Sequence, residues 1–186
     1  MIVTLSGITG TGKSFFKNAI SKELGFENLA IVTTRAKREN EINGIDKEFV
    51  TNDKFEEMVK NNEIVVNFEF LGAKYGYRKE KLESSENQVT EVHYNTIYEF
   101  KKNAKEVFSI YIIPREVERA KQELKNRKLP IQVEKNRLQE IEEHIKEYQN
   151  NKELQKQFDY VFINDYTEKS KEALLQIIRK KIMLYA

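Results

Sequence analysis

The residues best suited to chemistry stand near the start of the chain, between Gly7 and Ser14. They match G-x-x-x-x-G-K-[ST] at every fixed position. In such a loop, backbone N–H groups close around a polyphosphate, the lysine reaches the β- and γ-phosphates, and the final hydroxyl ligates Mg²⁺. We predict that Lys13 is catalytic, that Ser14 is a metal ligand, and that ATP with Mg²⁺ binds the following residues: Gly7, Thr9, Gly10, Thr11, Gly12, Lys13 and Ser14.

The segments on either side of this loop position it. The apolar run 1–5 precedes it and predicts a strand, and apolar residues recur at helical spacing over 15–24. The helix would direct the partial positive charge of its N-terminus at the phosphates. A plain glycine turn with a solvated lysine is the alternative, and the strand–loop–helix context favours phosphate binding.

Composition narrows the function classes. Lys and Arg number 32 against 30 Asp and Glu, so the net charge of +2 gives no argument for nucleic-acid binding. The chain has no cysteine and two histidines, which excludes a disulfide scaffold and leaves little for a metal cluster. No apolar run is long enough to span a membrane, and the short first run is not a secretory signal. We expect a cytoplasmic protein that acts on small molecules, with its oligomeric state left open.

Short β-like runs alternate with helical patterns, which predicts an α/β fold with a mostly parallel central sheet. The candidate strands are 1–5, 28–33, 63–70, 88–93, 106–113 and 159–163. Asn52 or Asp53 could cap a second helix, and the last helix is predicted over 168–184.

Two stretches interrupt this alternation. Residues 33–46 are polar without apolar periodicity, and residues 114–157 form a charged helical region that Pro130 divides in two. In its second helix Leu138, Ile141, Ile145 and Tyr148 share one face. A mobile helical lid and an ordinary surface hairpin both fit this pattern, and composition alone favours the hairpin.

Three further motifs occur in order along the chain. They are Thr33-Thr34-Arg35-Ala36-Lys37-Arg38 followed by Glu41, Gly44, Asp46 and Phe49; then Gly72-Ala73-Lys74-Tyr75-Gly76; and Phe158-Asp159 followed by Asn164-Asp165. With the glycine loop, this series resembles the guanylate kinase family over nearly the whole length. The resemblance implies one P-loop NTPase-type three-layer domain over 1–186. Its parts are a core (1–32, 88–113 and 158–186), an acceptor-binding sub-domain (33–87) and a helical lid (114–157).

The resemblance also implies a binding site for an acceptor monophosphate. Arg35 and Arg38, three residues apart on a polar loop, offer two planar donor forks to one phosphate, and the family adds the tyrosine that matches Tyr75. A solvated basic loop is the alternative. Beside an intact phosphate loop, we interpret Arg35, Arg38 and Tyr75 as substrate-binding residues.

Arg127 and Arg137 match family arginines that close over the transferring phosphoryl group, whose negative charge they would stabilise. A third lid arginine is replaced by Glu123, and Arg119, one turn earlier, could take its place. Asn164 matches the residue that contacts the adenine of ATP. Surface roles for the arginines, and an ordinary turn for Asn164, remain as alternatives.

The acceptor-base pocket departs from the family. A glutamate of the family is replaced by Val66, a small hydroxyl residue by Tyr77, and a tyrosine by Lys47, while an aspartate pair becomes Glu91 and His93. Valine cannot accept hydrogen bonds from guanine, so we expect weakened guanine preference, with Glu91 near Mg²⁺. The resemblance implies a nucleoside-monophosphate kinase, with GMP or dGMP as acceptor. The alternatives are a kinase for another nucleotide or a sugar phosphate, and a non-catalytic interaction module.

Overall fold

A five-stranded sheet forms the core of this computed structural model, which describes residues 1–39, 41–45 and 47–185. Its strands lie in the order β2-β7-β1-β8-β9, and every neighbouring pair is parallel. They are β1 (Ile2–Ser6), β2 (Glu27–Asn28), β7 (Gln88–Glu91), β8 (Val107–Pro114) and β9 (Tyr160–Asn164). The α/β fold with a largely parallel central sheet is therefore confirmed.

Helices cover both faces of this sheet because its strands are apolar on both sides. On one face, Ile110 and Ile112 of β8 pack with α1 (Lys13–Leu24) and α8 (Glu168–Tyr185). On the other face, Tyr111 packs in the cluster that contains α4 (Ile97–Asn103). Three layers result, as predicted.

A second, mixed sheet follows β2 in the chain, with strand order β4-β3-β6-β5. Its strands are β3 (Ile31–Thr33), β4 (Lys47–Phe49), β5 (Ile64–Phe70) and β6 (Ala73–Arg78). Helix α2 (Asn52–Lys60) covers one face, where Phe55 and Met58 are buried. Its cap is Thr51, whose Oγ1 accepts from the Lys54 backbone N–H at 3.2 Å, rather than Asn52 or Asp53.

The predicted strand 28–33 is wrong as one element, because the chain changes sheets within it. Asn28 still belongs to β2 beside β7, whereas Val32 pairs with Gly76 of β6 and packs against Phe55. Residues 31 and 32, placed in the core by sequence, therefore lie in the smaller sheet. A continuous apolar run does not reveal which of two sheets buries each half. Asp46 of the predicted acceptor motif lies outside the described residues.

The charged region 114–157 folds into α5 (Val117–Lys125), α6 (Ile131–Asn150) and α7 (Lys152–Lys156). Pro130 stands at the N-cap of α6 and separates it from α5, as predicted. The buried face of α6 carries Ile141 and Tyr148 together with His144, which the sequence pattern did not include. Short helices complete the described chain at α3 (Lys79–Leu82) and Tyr94–Thr96, a 3₁₀ turn. None of the described helices could cross a membrane.

Candidate active site

The glycine loop between β1 and α1 adopts a backbone that only glycine enters at low cost. Gly10 and Gly12 have φ values of 89° and 84°, and Gly12 caps α1 without any side-chain hydrogen bond. A Cβ on Gly10 would lie 2.2 Å from the carbonyl oxygen of Ala120, in α5. The first N–H groups of α1 thus face the loop without a side-chain cap, which suits an anion.

Lys13 folds back over this loop. Its Nζ donates to the carbonyl oxygens of Gly7 and Ile8, each at 2.8 Å. Burial lowers the pKa of Lys13, Glu91 opposes this shift, and Arg127 and Arg137 reinforce it. The two lid arginines are therefore close enough to Lys13 for their charges to act on the same group.

Ser14 and Glu91 form a pair of oxygen ligands beside the loop. Ser14 lies in the first turn of α1, Glu91 ends β7, and the Ser14 Oγ donates to the Glu91 Oε1 at 2.8 Å. A hydroxyl and a carboxylate are hard ligands of the kind that Mg²⁺ prefers. These residues fit the metal site that the sequence predicts at Ser14, with Glu91 as the acidic partner.

A cleft of about 850 Å³ opens between the loop, the helices α5 and α6, and the smaller sheet. Its size is in the range of sites that enclose small molecules. Most of the predicted site residues line it: Gly7, Thr9, Gly10, Gly12, Lys13, Ser14, Tyr75, Arg127, Arg137 and Asn164. Thr11 is buried behind the loop, where its Oγ1 donates to the Ile8 carbonyl at 2.9 Å.

Arg35 and Arg38 are not among the residues that line the cleft. The guanidinium of Arg35 donates to both carboxylate oxygens of Glu41, at 2.6 and 2.8 Å. Burial raises the pKa of Glu41, but the hydrogen bonds from Arg35 and from the Arg38 backbone outweigh it and lower the pKa. Glu41 therefore holds the loop that carries both arginines.

Asn164 and Tyr166 hold the other end of the glycine loop. The Asn164 Nδ2 donates to the Thr11 carbonyl at 3.0 Å, and the Tyr166 hydroxyl donates to the Gly10 carbonyl at 3.1 Å. Arg119 lies over the Tyr166 ring at 5.5 Å and pairs with Glu123 at 2.9 Å. The charge of Arg119 is therefore offset by Glu123.

Val66 does not form the wall of the acceptor pocket, which corrects the expectation from sequence. It is 2% exposed and packs in the core cluster with Tyr77, which is fully buried. The Tyr77 hydroxyl donates to the backbone carbonyl of Glu91 at 2.8 Å. The large tyrosine ring occupies space beside Val66, so neither residue reaches the cleft.

Aromatic rings line the part of the cleft that the smaller sheet forms. Phe68 stacks on Tyr75 at 5.3 Å, and the His93 ring lies 5.2 Å from that of Phe70. His144 lines the same side. Burial lowers its pKa to about 3, with His93 and Lys13 adding to the effect. Sequence reasoning missed His144, although its position three residues after Ile141 would have placed it on the buried face of α6.

His144 links the lid to this aromatic wall. Its ring stacks on Tyr94 at 3.5 Å, and its Nε2 lies 3.0 Å from the Tyr111 hydroxyl. The Tyr94 hydroxyl in turn donates to the carboxylate of Glu147, which lies on α6 one turn after His144. Arg137, also on α6, lies 5.1 Å over the Phe70 ring. Helix α6 thus contacts both the aromatic wall and the region of the glycine loop.

Comparison with known proteins agrees with this arrangement. The family model "Guanylate kinase" matches residues 1–181. The guanylate kinase of Mycoplasmoides gallisepticum is 31% identical, over 97% of this chain and 92% of that protein. The guanylate kinase of Bacillus subtilis is 30% identical, over 96% of this chain and 87% of that protein.

Solved structures share the fold. A guanylate kinase from Anaplasma phagocytophilum superposes with a TM-score of 0.67 at 22% identity, covering 97% of this chain and 85% of that one. A shikimate kinase from Bacteroides thetaiotaomicron reaches a TM-score of 0.51 at 13% identity, covering 98% of each chain. The match of the family model over almost the entire length, together with these relatives, shows that the chain belongs to the guanylate kinase family.

Proposed function

We propose that the protein is an ATP-dependent nucleoside-monophosphate kinase that transfers the γ-phosphoryl group of ATP to GMP or dGMP. One observation carries this proposal beyond family membership. A single cleft contains the glycine loop with Lys13, two lid arginines, and an aromatic acceptor side that includes Tyr75. ATP and the acceptor could therefore bind in this one cleft, with their phosphates between Lys13 on one side and the two arginines on the other.

In this proposal the chain works by positioning and by charge neutralisation, which dominate phosphoryl transfer. Lys13 exchanges its two loop carbonyls for the β- and γ-phosphates of ATP. Arg127 and Arg137, which already act on the pKa of Lys13, stabilise the charge that spreads over the transferring group. No general base is assigned, because the attacking group is a phosphate oxygen.

Mg²⁺ fits beside the loop, where Ser14 and Glu91 would hold it, and when bound it would neutralise phosphate charge. On the acceptor side, Tyr75 lines the cleft and would contact the acceptor phosphate. Arg35 and Arg38 would join it if the loop that Glu41 holds moved towards the cleft. We therefore propose that acceptor binding draws the Arg35 guanidinium from Glu41 to the phosphate.

Closure of the lid would exclude water, which would otherwise consume ATP by hydrolysis. Helices α5 and α6 already contact the glycine loop, since Ile8 packs with Ala120, Leu124 and Ile141. This packing supports a lid built over the phosphates rather than a detached surface hairpin.

The decisive experiment measures ADP formation from Mg·ATP with a panel of acceptors: GMP, dGMP, AMP, CMP, UMP and a sugar phosphate. We expect turnover to depend on acceptor, with GMP or dGMP among the best. Faster turnover with another acceptor would reassign the substrate, and no turnover with any, despite nucleotide binding, would indicate an interaction module.

A further inference from the structure

The acceptor half of the cleft offers a nucleobase flat surfaces but few polar groups. This inference rests on the proposed function and concerns the base of the acceptor. Rings of Phe68, Phe70 and Tyr75 come from the β5–β6 hairpin, and those of His93 and Tyr94 follow β7. Planar aromatic walls stabilise a planar base by stacking, whichever base it is. Selection among bases must therefore come from the polar groups that remain.

Among the described residues that line the cleft, every carboxylate already has a partner. The pairs are Glu91 with Ser14 at 2.8 Å, Glu123 with Arg119 at 2.9 Å, Glu140 with Arg137 at 2.7 Å, and Glu168 with Lys171 at 2.8 Å. A carboxylate would be the natural acceptor for the N1–H and 2-amino group of guanine. Within the part of the chain that the structure describes, the cleft therefore has no carboxylate without a partner that could accept from the donor edge of that base.

The uncommitted side chains on this side are mainly donors. Lys47 lines the cleft, and its Nζ has no hydrogen-bond or ion-pair partner among the described residues; an ammonium group only donates. Burial lowers the pKa of Lys47. The positive charges of Lys17 and Arg35 lower it further, whereas the carboxylates of Glu91 and Glu41 raise it. Lys47 lies on β4 opposite Ile31 of β3, so it faces the cleft from the smaller sheet.

His93 is the donor nearest the aromatic wall. Its Nδ1 accepts from the Asn95 backbone N–H at 3.4 Å, so Nε2 carries a hydrogen that it can donate. The ring lies 5.9 Å from Phe68 and 5.2 Å from Phe70, within the surfaces on which a base would stack.

We propose that His93 donates its Nε2–H to the 6-carbonyl oxygen of the acceptor base, and that the 2-position of the base is not recognised. The acceptor class is then the 6-oxopurine monophosphates as a group, so that IMP serves nearly as well as GMP. Adenine is excluded because its 6-amino group would meet another donor. This assignment makes His93 a specificity-determining residue.

The first test uses the unmodified full-length protein and compares kcat/KM for GMP, IMP and AMP. We expect IMP to lie within about tenfold of GMP, and AMP to fall at least about a hundredfold below both. A preference for GMP over IMP of a hundredfold or more would overturn the inference, because it would show that the 2-amino group is recognised. If no acceptor is phosphorylated, the proposed function itself fails instead.

The second test replaces the ring while keeping its stacking surface. His93→Phe should lower kcat/KM for GMP and IMP by about 10- to 100-fold while changing that for AMP by less than about threefold. Tyr94→Phe is the matched control, since it removes a hydroxyl committed to Glu147 from the same wall and should leave the ratios among acceptors unchanged. An equal loss for all three acceptors in His93→Phe would show a structural role and refute the assignment.

Discussion

At the scale of single residues, the position of Lys13 determines what its removal should do. Its ammonium group is held by two carbonyl oxygens of the loop. The cost of burying this charge offsets much of what those hydrogen bonds contribute. We therefore expect the loop to keep its fold without the lysine, although it would lose its contact with the phosphates.

Lys13→Ala should lower phosphoryl transfer by at least about a thousandfold. The melting temperature should shift by no more than about 4 °C, which corresponds to about 1 kcal/mol in a chain of this size. Acceptor-dependent turnover and a thermal melt of the same preparation measure both effects. A folded variant that retains most of its activity would remove Lys13 from the mechanism.

Arg38→Ala should raise the KM for the acceptor and lower kcat, with little change in ATP affinity. Loss of one charged donor fork on a phosphate costs about 2–3 kcal/mol, or roughly 30- to 150-fold in kcat/KM. Lys37→Ala is the matched control, because Lys37 lies on the same loop and its Nζ donates to the Glu41 carbonyl, at 3.0 Å, rather than to the Glu41 carboxylate. Impaired ATP binding with normal acceptor kinetics would contradict the assignment of this loop.

At the scale of elements, α6 makes the stability of the lid dependent on pH through His144. The pKa of His144 in the folded protein, about 3, lies below the ordinary histidine value of 6.5, so between these values the unfolded chain binds a proton that the folded chain does not. The contribution of neutral His144 to the free energy of unfolding is therefore fully present above pH 6.5, and it is lost as the pH falls towards 3.

Between pH 7 and pH 5, His144 should reduce the free energy of unfolding by about 2 kcal/mol. Urea denaturation at both pH values measures the change. His144→Phe should lose most of this dependence, although it also removes the contact with the Tyr111 hydroxyl. If the free energy of unfolding of the variant changes with pH as much as that of the unmodified protein, the effect belongs to other groups.

Elements with strong local signals could be predicted from sequence, and elements defined by distant partners could not. The loop before α1, the central strand β8 and the break at Pro130 depend on local residue patterns. Strand β6 went unpredicted because it is short, directly follows Gly72, and is interrupted by Gly76. Gly76 is needed there because a Cβ would lie 2.5 Å from the Cγ2 of Ile64.

The candidate site was predictable where a motif specifies chemistry and unpredictable where packing determines exposure. The motif identified Ser14 and Lys13, and the structure places both in the cleft. The aligned position of Val66 suggested a wall of the acceptor pocket. Only the three-dimensional packing shows that the Tyr77 ring fills the adjoining space and that both residues belong to the core.

At the scale of the whole molecule, ligand binding should couple to global stability because the cleft joins the core, the lid and the smaller sheet. Mg·ATP at a hundredfold excess over its Kd should add about 2.7 kcal/mol. The melting temperature should then rise by roughly 5–10 °C. Lys13→Ala should reduce this rise, and an equal rise in the variant would show that the nucleotide binds elsewhere.

The sheet order has a consequence for how the protein emerges from the ribosome. Strand β1, which leads into the glycine loop, lies between β7 and β8, whose pairing residues begin at Gln88 and Val107. The smaller sheet, by contrast, uses only the contiguous segment from Ile31 to Arg78. Parallel pairing between distant segments is slow, and N-terminal segments are available first. We therefore expect the smaller sheet to assemble during translation. The phosphate loop, although it is synthesised earlier, should reach its folded position only after the second half of the chain has been made.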